Sequence, residues 1–225
     1  MNARCYEVDQ ISLIQMAEFF SESLKYLLSM NLLGLGALIF GLLNVYLLIK
    51  ESIFNWPCGI AYILISFVIF WQEQLYGDFL LHIFFLALNL YGWYHWLYGK
   101  GEQSEPVKIN TLGVKQNLFY VAISIIGVFF FGYFLTNIHV IFTNLTPASV
   151  PYWDAATTSL SVMAMWLTAR KKLENWIYWL VVDVLAVGIY MYKGIYFYAL
   201  LYFIYIGLAA AGYLAWKKIL QTQRA

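Results

Sequence analysis

Tyr46-Leu47-Leu48-Ile49-Lys50-Glu51-Ser52-Ile53-Phe54-Asn55-Trp56 and Trp166-Leu167-Thr168-Ala169-Arg170-Lys171-Lys172-Leu173-Glu174-Asn175-Trp176 lie 120 positions apart. Each leaves one apolar block, crosses a short basic link and enters the next. At this offset Tyr46 falls on Trp166, Leu47 on Leu167, Lys50 on Arg170, and Asn55-Trp56 on Asn175-Trp176. Working outward, Tyr76 meets Tyr196, Leu80 meets Leu200, Gly92 meets Gly212 and Trp96 meets Trp216, without a gap. Two tryptophan pairs coincide where roughly 0.1 is expected by chance over the ~60 matched positions. Residues 31–217 therefore read as a duplication around one intervening segment.

The chain of 225 residues is 63% hydrophobic and 11% charged, with a net charge of +1. Soluble domains carry about a quarter charged residues, and here the apolar residues come in blocks of around twenty. This implies an all-α integral membrane protein in a lipid bilayer and argues against a nucleic-acid partner. Cys5 and Cys58 sit in unlike surroundings and suggest neither a disulfide nor a metal site. No cleaved signal peptide is evident at the start. Instead Ile11, Ile14, Phe19, Leu24, Leu27 and Leu28 alternate with Gln15, Glu18, Ser21, Glu22 and Lys25. Residues 1–30 are expected as an amphipathic helix on the membrane surface, the competing reading being a tail packed on the bundle edge.

Seven segments are long enough to span an apolar core of ~30 Å: Asn31 to Ile49, Ile53 to Trp71, Phe79 to Tyr98, Leu112 to Leu135, Tyr152 to Ala169, Trp176 to Tyr192 and Ile195 to Trp216. The divisions are a first three-helix bundle at 31–98, a linker with the connecting span at 99–140, a second bundle at 141–217 and a tail at 218–225. Arg4, Lys25 and Lys193 lie on the side of the N-terminus. Lys50, Lys100, Lys108, Lys115, Arg170, Lys171, Lys172, Lys217, Lys218 and Arg224 lie on the other. The positive-inside rule makes the second side cytoplasmic, with the N-terminus and the Glu73 to Asp78 and His139 to Val150 links outside. The fourth span makes the repeat period even, so the triplets run parallel in a three-plus-one-plus-three layout about an axis along the membrane normal, as in SWEET sugar transporters.

Polar stripes mark candidate binding residues. Asp78, His82, Phe85, Asn89, Gly92 and Trp96 share one helix face, and the shift maps them to Tyr198, Tyr202, Tyr205, Ala209, Gly212 and Trp216. Gly34, Ala37, Gly41 and Asn44 map to Asp154, Thr157, Ser161 and Ala164, a small-residue seam that suits close packing. In the sixth span Trp176, Trp179, Asp183 and Tyr190 put two indoles, a carboxylate and a phenol on one face. An ionisable group such as Asp183 costs on the order of 3 kcal/mol in a bilayer, so it is expected to face a cavity or a partner. The blander readings are a structural hydrogen bond for Asp183, an interfacial belt for Trp176, a neighbour-satisfied core histidine for His82, and a water-exposed cap for Gln72, which otherwise lines an entrance. Asn44 and Asn89 are the other polar groups expected within the bilayer. There is no H-E-x-x-H, G-x-S-x-G or glycine-rich phosphate loop, and the three histidines lack metal spacing, so no catalytic residue, metal or cofactor is expected. The rival classes are a membrane enzyme using Asp183 and His82, and a receptor, which lacks a soluble signalling domain.

The runs Asn55-Trp56-Pro57-x-Gly59, Leu75-Tyr76-Gly77-Asp78, Tyr91-Gly92-Trp93-Tyr94-x-Trp96 and Glu174-Asn175-Trp176-x-x-Trp179-x-x-x-Asp183, with Tyr202, Gly212 and Trp216, resemble the bacterial nicotinamide riboside transporters known as PnuC. The resemblance covers residues 31 to 217. It implies a SWEET-like fold, a homotrimer in the bacterial inner membrane, and facilitated diffusion made one-way by phosphorylation of the riboside inside the cell. Nicotinamide riboside presents a flat cationic ring and ribose hydroxyls. Aromatic faces supply about 0.5 to 2 kcal/mol each to such a cation, and Asp183, Asn89 and Asn44 accept hydroxyls. The substrate-binding set expected on this basis is Trp176, Trp179, Asp183, Asn89, Asn44, His82, Trp93, Tyr202, Tyr205 and Gln72. Family members carry a glutamine where this chain has His82, so any contact there changes its hydrogen bonding. Related carriers take thiamine or riboflavin; the Glu174 to Asp183 run resembles the nicotinamide riboside branch.

Overall fold

A computed structural model describes residues 3–72, 76–99, 107–141 and 149–224. They form eight helices: α1 (Ala3–Ser29), α2 (Leu32–Ile49), α3 (Asn55–Gln72), α4 (Tyr76–Tyr98), α5 (Val114–Ile141), α6 (Pro151–Ala169), α7 (Asn175–Tyr192) and α8 (Tyr196–Arg224). Helices α2 to α8 fall on the seven expected spans. By length and composition α2, α3, α7 and most of α5 and α8 can cross a membrane. Their outward faces carry exposed Leu32, Leu118, Ile126, Phe129 and Phe203. α8 continues unbroken to Arg224, so residues 218–224 of the expected tail are helical. Residues 73–75, 100–106 and 142–148 of the three expected links, and the Asp78 and Cys5 side chains, lie outside the described residues.

Local chemistry sets the helix ends. The Asn31 side chain accepts from the Gly34 amide at 2.8 Å and caps α2, and Pro151 opens α6, where a missing N–H costs nothing. The α2–α3 and α6–α7 turns are built alike. Glu51 (φ 54°) and Lys171 (φ 50°) both take the left-handed conformation that reverses the chain. The amides that follow, Ser52 and Lys172, bond back to Leu47 and Leu167 at 2.9 Å. Asn55 and Asn175 each donate to the Ser52 or Lys172 carbonyl at 2.6 Å. This explains the asparagine of the repeated Asn-Trp pair: it ties the start of the second helix to the turn that feeds it.

The tryptophan beside it is a wedge. Trp56 lies over Gly92 and Trp176 over Gly212, so closely that a Cβ on either glycine would overlap the indole. Trp56 meets Trp96 edge-on at 5.3 Å, and Trp176 meets Trp216 edge-on at 5.6 Å. These rings, with Leu48, Ala169 and Leu173, form the largest buried cluster. Within each triplet the middle helix, α3 or α7, packs between the other two. The triplets close on each other through two equivalent contacts, α4 on α6 and α8 on α2.

Across that seam the halves exchange bonds. Trp96 Nε1 donates to the Thr168 carbonyl at 3.3 Å, and Trp216 Nε1 donates to the Leu48 carbonyl at 3.0 Å. The donors are 120 residues apart, and so are the acceptors. Lys171 and Glu51, also 120 apart, pair with each other at 2.6 Å, and the Trp96 and Trp216 rings meet at 6.2 Å. Equivalent residues can touch only near the axis that relates them, so these contacts mark a local two-fold at the basic end of the bundle.

The remaining helices flank the second triplet. α5 packs on α6, where the Ser159 hydroxyl donates to the Ser124 carbonyl at 2.9 Å. α1 packs on α8, with Tyr26 stacked on Phe197 at 4.8 Å and Phe19 edge-on to Tyr196. Met16, Phe20, Leu24 and Leu28 of α1 remain exposed. The segment before α5 pairs with the α6–α7 turn: the Asn110 amide donates to Lys171 O at 3.1 Å and the Leu173 amide to Asn110 O at 2.9 Å. Val107 and Ile109 are buried there.

Candidate functional site

Asp183 lies two turns into α7, roughly 12 Å from its first residue. It is 5% exposed, and among the described residues no hydrogen bond or ion pair reaches it. Tyr202 and Tyr205 of α8 lie within its electrostatic reach, and both also interact electrostatically with Tyr62 of α3. The tyrosines form a contiguous array: Tyr202 meets Tyr205 edge-on at 5.8 Å and stacks on Tyr190 of α7 at 5.4 Å, and Tyr190 stacks on Tyr198 at 5.3 Å. Tyr198 in turn faces Tyr26 of α1, the two hydroxyls 3.4 Å apart.

Glycines on the opposing helices admit these rings. A Cβ at Gly41 of α2 would lie 3.1 Å from the Tyr205 hydroxyl and 3.6 Å from the Tyr62 ring. Gly59 of α3 admits two amides: a Cβ there would lie 2.5 Å from Asn89 Oδ1 and 3.4 Å from Asn44 Nδ2. Asn89 is 1% exposed and spends one N–H on the Phe85 carbonyl at 2.9 Å. Asn44, Asn89, Tyr205 and Tyr202, drawn from α2, α4 and α8, thus converge through Gly41, Gly59 and Tyr62.

The other expected residues stand apart from this group in different ways. Trp179 donates from Nε1 to the Thr168 hydroxyl at 3.3 Å and packs on the core edge. Trp176 is 2% exposed, which removes it from any interfacial belt; its Gly212 and Trp216 contacts make it a packing wedge. Trp93 is half-buried against the same cluster. His82 is held in a ring of Tyr62, Phe70 and Phe85, with Phe70 edge-on at 4.6 Å. Gln72 is exposed at the end of α3. Tyr62 and Gly59 are the additions. Tyr62 has Val182 as its repeat counterpart, so the offset gave no signal for it.

At the basic end, Lys171 is spent on Glu51 and on the Trp96 ring, 4.3 Å from its Nζ. Burial pushes the Lys172 ammonium below its ordinary value. The end of α6 opposite is tied by Lys193 to Asp154 at 3.3 Å. Among the described residues no cluster of His, Cys, Asp or Glu could hold a metal ion.

Residues 31–218 match the family model described as nicotinamide mononucleotide transporter. The chain belongs to this family. It is 31% identical over 195 residues to the nicotinamide riboside transporter PnuC of Escherichia coli (strain K12), covering 79% of this chain and 82% of that protein. The PnuC of Neisseria mucosa is 24% identical, with 82% and 72% covered. The riboflavin/roseoflavin transporter RibM of Streptomyces davaonensis is 26% identical, with 79% and 81% covered. The fold matches a crystal structure of the vitamin B3 transporter PnuC with a TM-score of 0.66 at 21% identity, covering 94% of this chain and 92% of that one. The family is thus a family of membrane transporters, and this chain carries its fold over nearly its whole length.

Proposed function

We propose that this protein carries nicotinamide riboside into the cell, passively, by alternating access between its two helix triplets. The single observation that carries this reading is Asp183: a buried carboxylate with, among the described residues, no cation paired with it, and with Tyr202 and Tyr205 in its electrostatic reach. Such a group is costly in an apolar interior unless a cation compensates it. A pyridinium ring supplies the charge and offers a flat face to Tyr202 and Tyr205, while Asn44 and Asn89 suit ribose hydroxyls. Riboflavin is neutral and gains nothing from the carboxylate. A mononucleotide would bring a phosphate to a site whose named residues include no lysine or arginine. Thiamine, a cation as well, is the second reading.

In this proposal α2 to α8 are seven transmembrane helices in a three-plus-one-plus-three, SWEET-like layout, assembled as a homotrimer in the bacterial inner membrane. The basic residues put the N-terminus outside and the C-terminus inside. The Glu51–Lys171 pair and the exchanged tryptophan bonds then close the cytoplasmic end. The proposal includes no covalent chemistry; it reads His82, set among Tyr62, Phe70 and Phe85, as a packing residue.

The test is side-by-side titration of the purified protein with nicotinamide riboside, thiamine and riboflavin, followed by liposome uptake. Expected are binding of the riboside in preference to both, its recovery chemically unaltered, and equilibration without accumulation against a gradient. Preference for riboflavin, or equal affinity in Asp183→Asn, would overturn the assignment of the carboxylate.

A further inference from the structure

α4 and α5 both pack on α6 and, among the described residues, not on each other. Between them runs a cleft of about 430 Å³, floored by Val162, Met163 and Trp166 of α6 and walled by Leu88 of α4 and by Phe119 and Ile123 of α5. Phe119 and Ile123 are 60% and 41% exposed, so one wall opens to the surroundings of the helix bundle. Trp166 continues from the cleft into a polar rim. Tyr91 stacks on it at 5.4 Å with the planes 10° apart, and the Arg170 guanidinium lies 5.4 Å from its ring. Arg170 Nη1 donates to the Tyr91 hydroxyl at 2.8 Å.

This rim holds a fixed cation. A guanidinium has five N–H donors, of which the Tyr91 bond uses one. Among the described residues no carboxylate pairs with Arg170. Glu51 pairs with Lys171, and Glu174 accepts the Leu112 amide on Oε1 at 2.9 Å and keeps Oε2 buried without a hydrogen-bond partner, so neither acid bonds to Arg170. Lys172 follows in sequence, and Lys115 lies exposed at the start of α5.

From these observations we propose that the α4–α5 cleft binds one acyl chain of an anionic phospholipid, whose phosphate sits on Arg170. The cleft is an open groove lined by aliphatic and aromatic side chains. Its end carries an unneutralised planar donor, oriented by Tyr91 and Trp166, of the geometry that takes phosphate oxygens in pairs. Basic pockets at helix ends on one membrane face are suited to anionic headgroups, and a zwitterionic lipid would bring its own cation against Arg170. The inference does not depend on which solute the protein carries.

Native mass spectrometry of the full-length protein, delipidated and then titrated with phosphatidylglycerol or phosphatidylcholine of identical chains, tests it. Expected is at least about tenfold tighter retention of phosphatidylglycerol, reduced in Arg170→Gln to the phosphatidylcholine level. Val162→Trp, which fills the floor, should lower retention of both lipids, and Ile123→Trp repeats the block from α5 should the first variant not fold. Inorganic phosphate at millimolar concentration should not displace the lipid, because the acyl chain supplies part of the hold; full displacement would make this a free-anion site. Equal retention of the two lipids, or an undiminished preference in Arg170→Gln, overturns the proposal. So does a Val162→Trp protein that loses its oligomeric state with lipid retention unchanged, which would make the cleft a contact between copies.

Discussion

The two triplets share their joints and differ in their interiors. Both turns place a charged residue in the left-handed region, both second helices begin with an asparagine bonded to the turn, and both wedge a tryptophan over a glycine. Yet Asp183 has Ile63 as its counterpart, Asn89 has Ala209, and Asn44 has Ala164. The surroundings differ too. α5, α1 and the Asn110 segment all lean on the second triplet, and nothing equivalent clasps α2–α4 among the described residues. Joints must keep their geometry for the halves to meet across a local two-fold, whereas a pocket for one asymmetric molecule has no reason to stay symmetric.

The largest effect should come from breaking the interior asymmetry. Asp183→Asn removes the carboxylate and keeps its shape. Losing a buried charge partner costs about 3 kcal/mol, so binding of the cationic substrate should weaken about 100-fold while the protein stays folded. Ile63→Asn at the equivalent place should change affinity by far less. Calorimetric titration of both variants checks this, and equal losses would show that the pocket is shared evenly between the halves.

Next come the wedges, where the halves should behave alike. Gly92→Ala and Gly212→Ala each force a methyl into an indole, an overpacking that typically costs about 1 to 3 kcal/mol. Melting in detergent should fall by similar amounts for both. A large drop in one alone would show that only that triplet depends on its wedge.

The clasp offers a smaller, one-sided effect. Glu174 Oε1 accepts the Leu112 amide at 2.9 Å, while its repeat counterpart Phe54 is exposed. Glu174→Ala should cost about 1.5 to 3 kcal/mol, the range for a hydrogen bond to a charged group, and Phe54→Ala close to nothing. Hydrogen exchange at the Leu112 amide reads the first directly.

What the sequence made legible follows the same division. The 120-residue offset located the joints, because a turn that must repeat keeps its residues: Asn55 with Asn175, Gly92 with Gly212, Trp96 with Trp216. The stripes singled out Asp183, Asn44, Asn89, Tyr202 and Tyr205 as polar groups in apolar helices, and the structure gathers Asn44 and Asn89 at Gly59 and sets Tyr202 against Tyr205. Three things were hidden. Helical spacing groups Trp176 with Asp183, and it gives no sign of the close contact that the ring makes with Gly212. Val107 and Ile109 sit in a link that looks polar as a whole, although their alternation is the pattern of an extended segment buried on one side. The exchange of bonds between halves, Trp96 to Thr168 and Trp216 to Leu48, depends on how the triplets meet, which no spacing within one chain segment encodes.

The finest test of the comparison lies on the axis itself. Glu51 and Lys171 occupy equivalent positions, share the left-handed conformation and pair with each other at 2.6 Å, the side chains 21% and 11% exposed. Replacing either alone by methionine should cost on the order of 1 kcal/mol, since a partly shielded pair gains little and its leftover charge is only partly buried. The double swap Glu51→Lys with Lys171→Glu is more discriminating. A true two-fold would carry the pair onto itself with the charges exchanged, and the ammonium would move from the Trp96 ring to the equivalent Trp216 ring. Stability should then return to within about 0.5 kcal/mol of the starting protein, as additivity fails for neighbours that share one interaction. A swap no better than the worse single variant would mean that the halves are already distinct at the joint, with Lys171 held in place by the Asn110 segment that bonds its carbonyl and has no counterpart in the first half among the described residues.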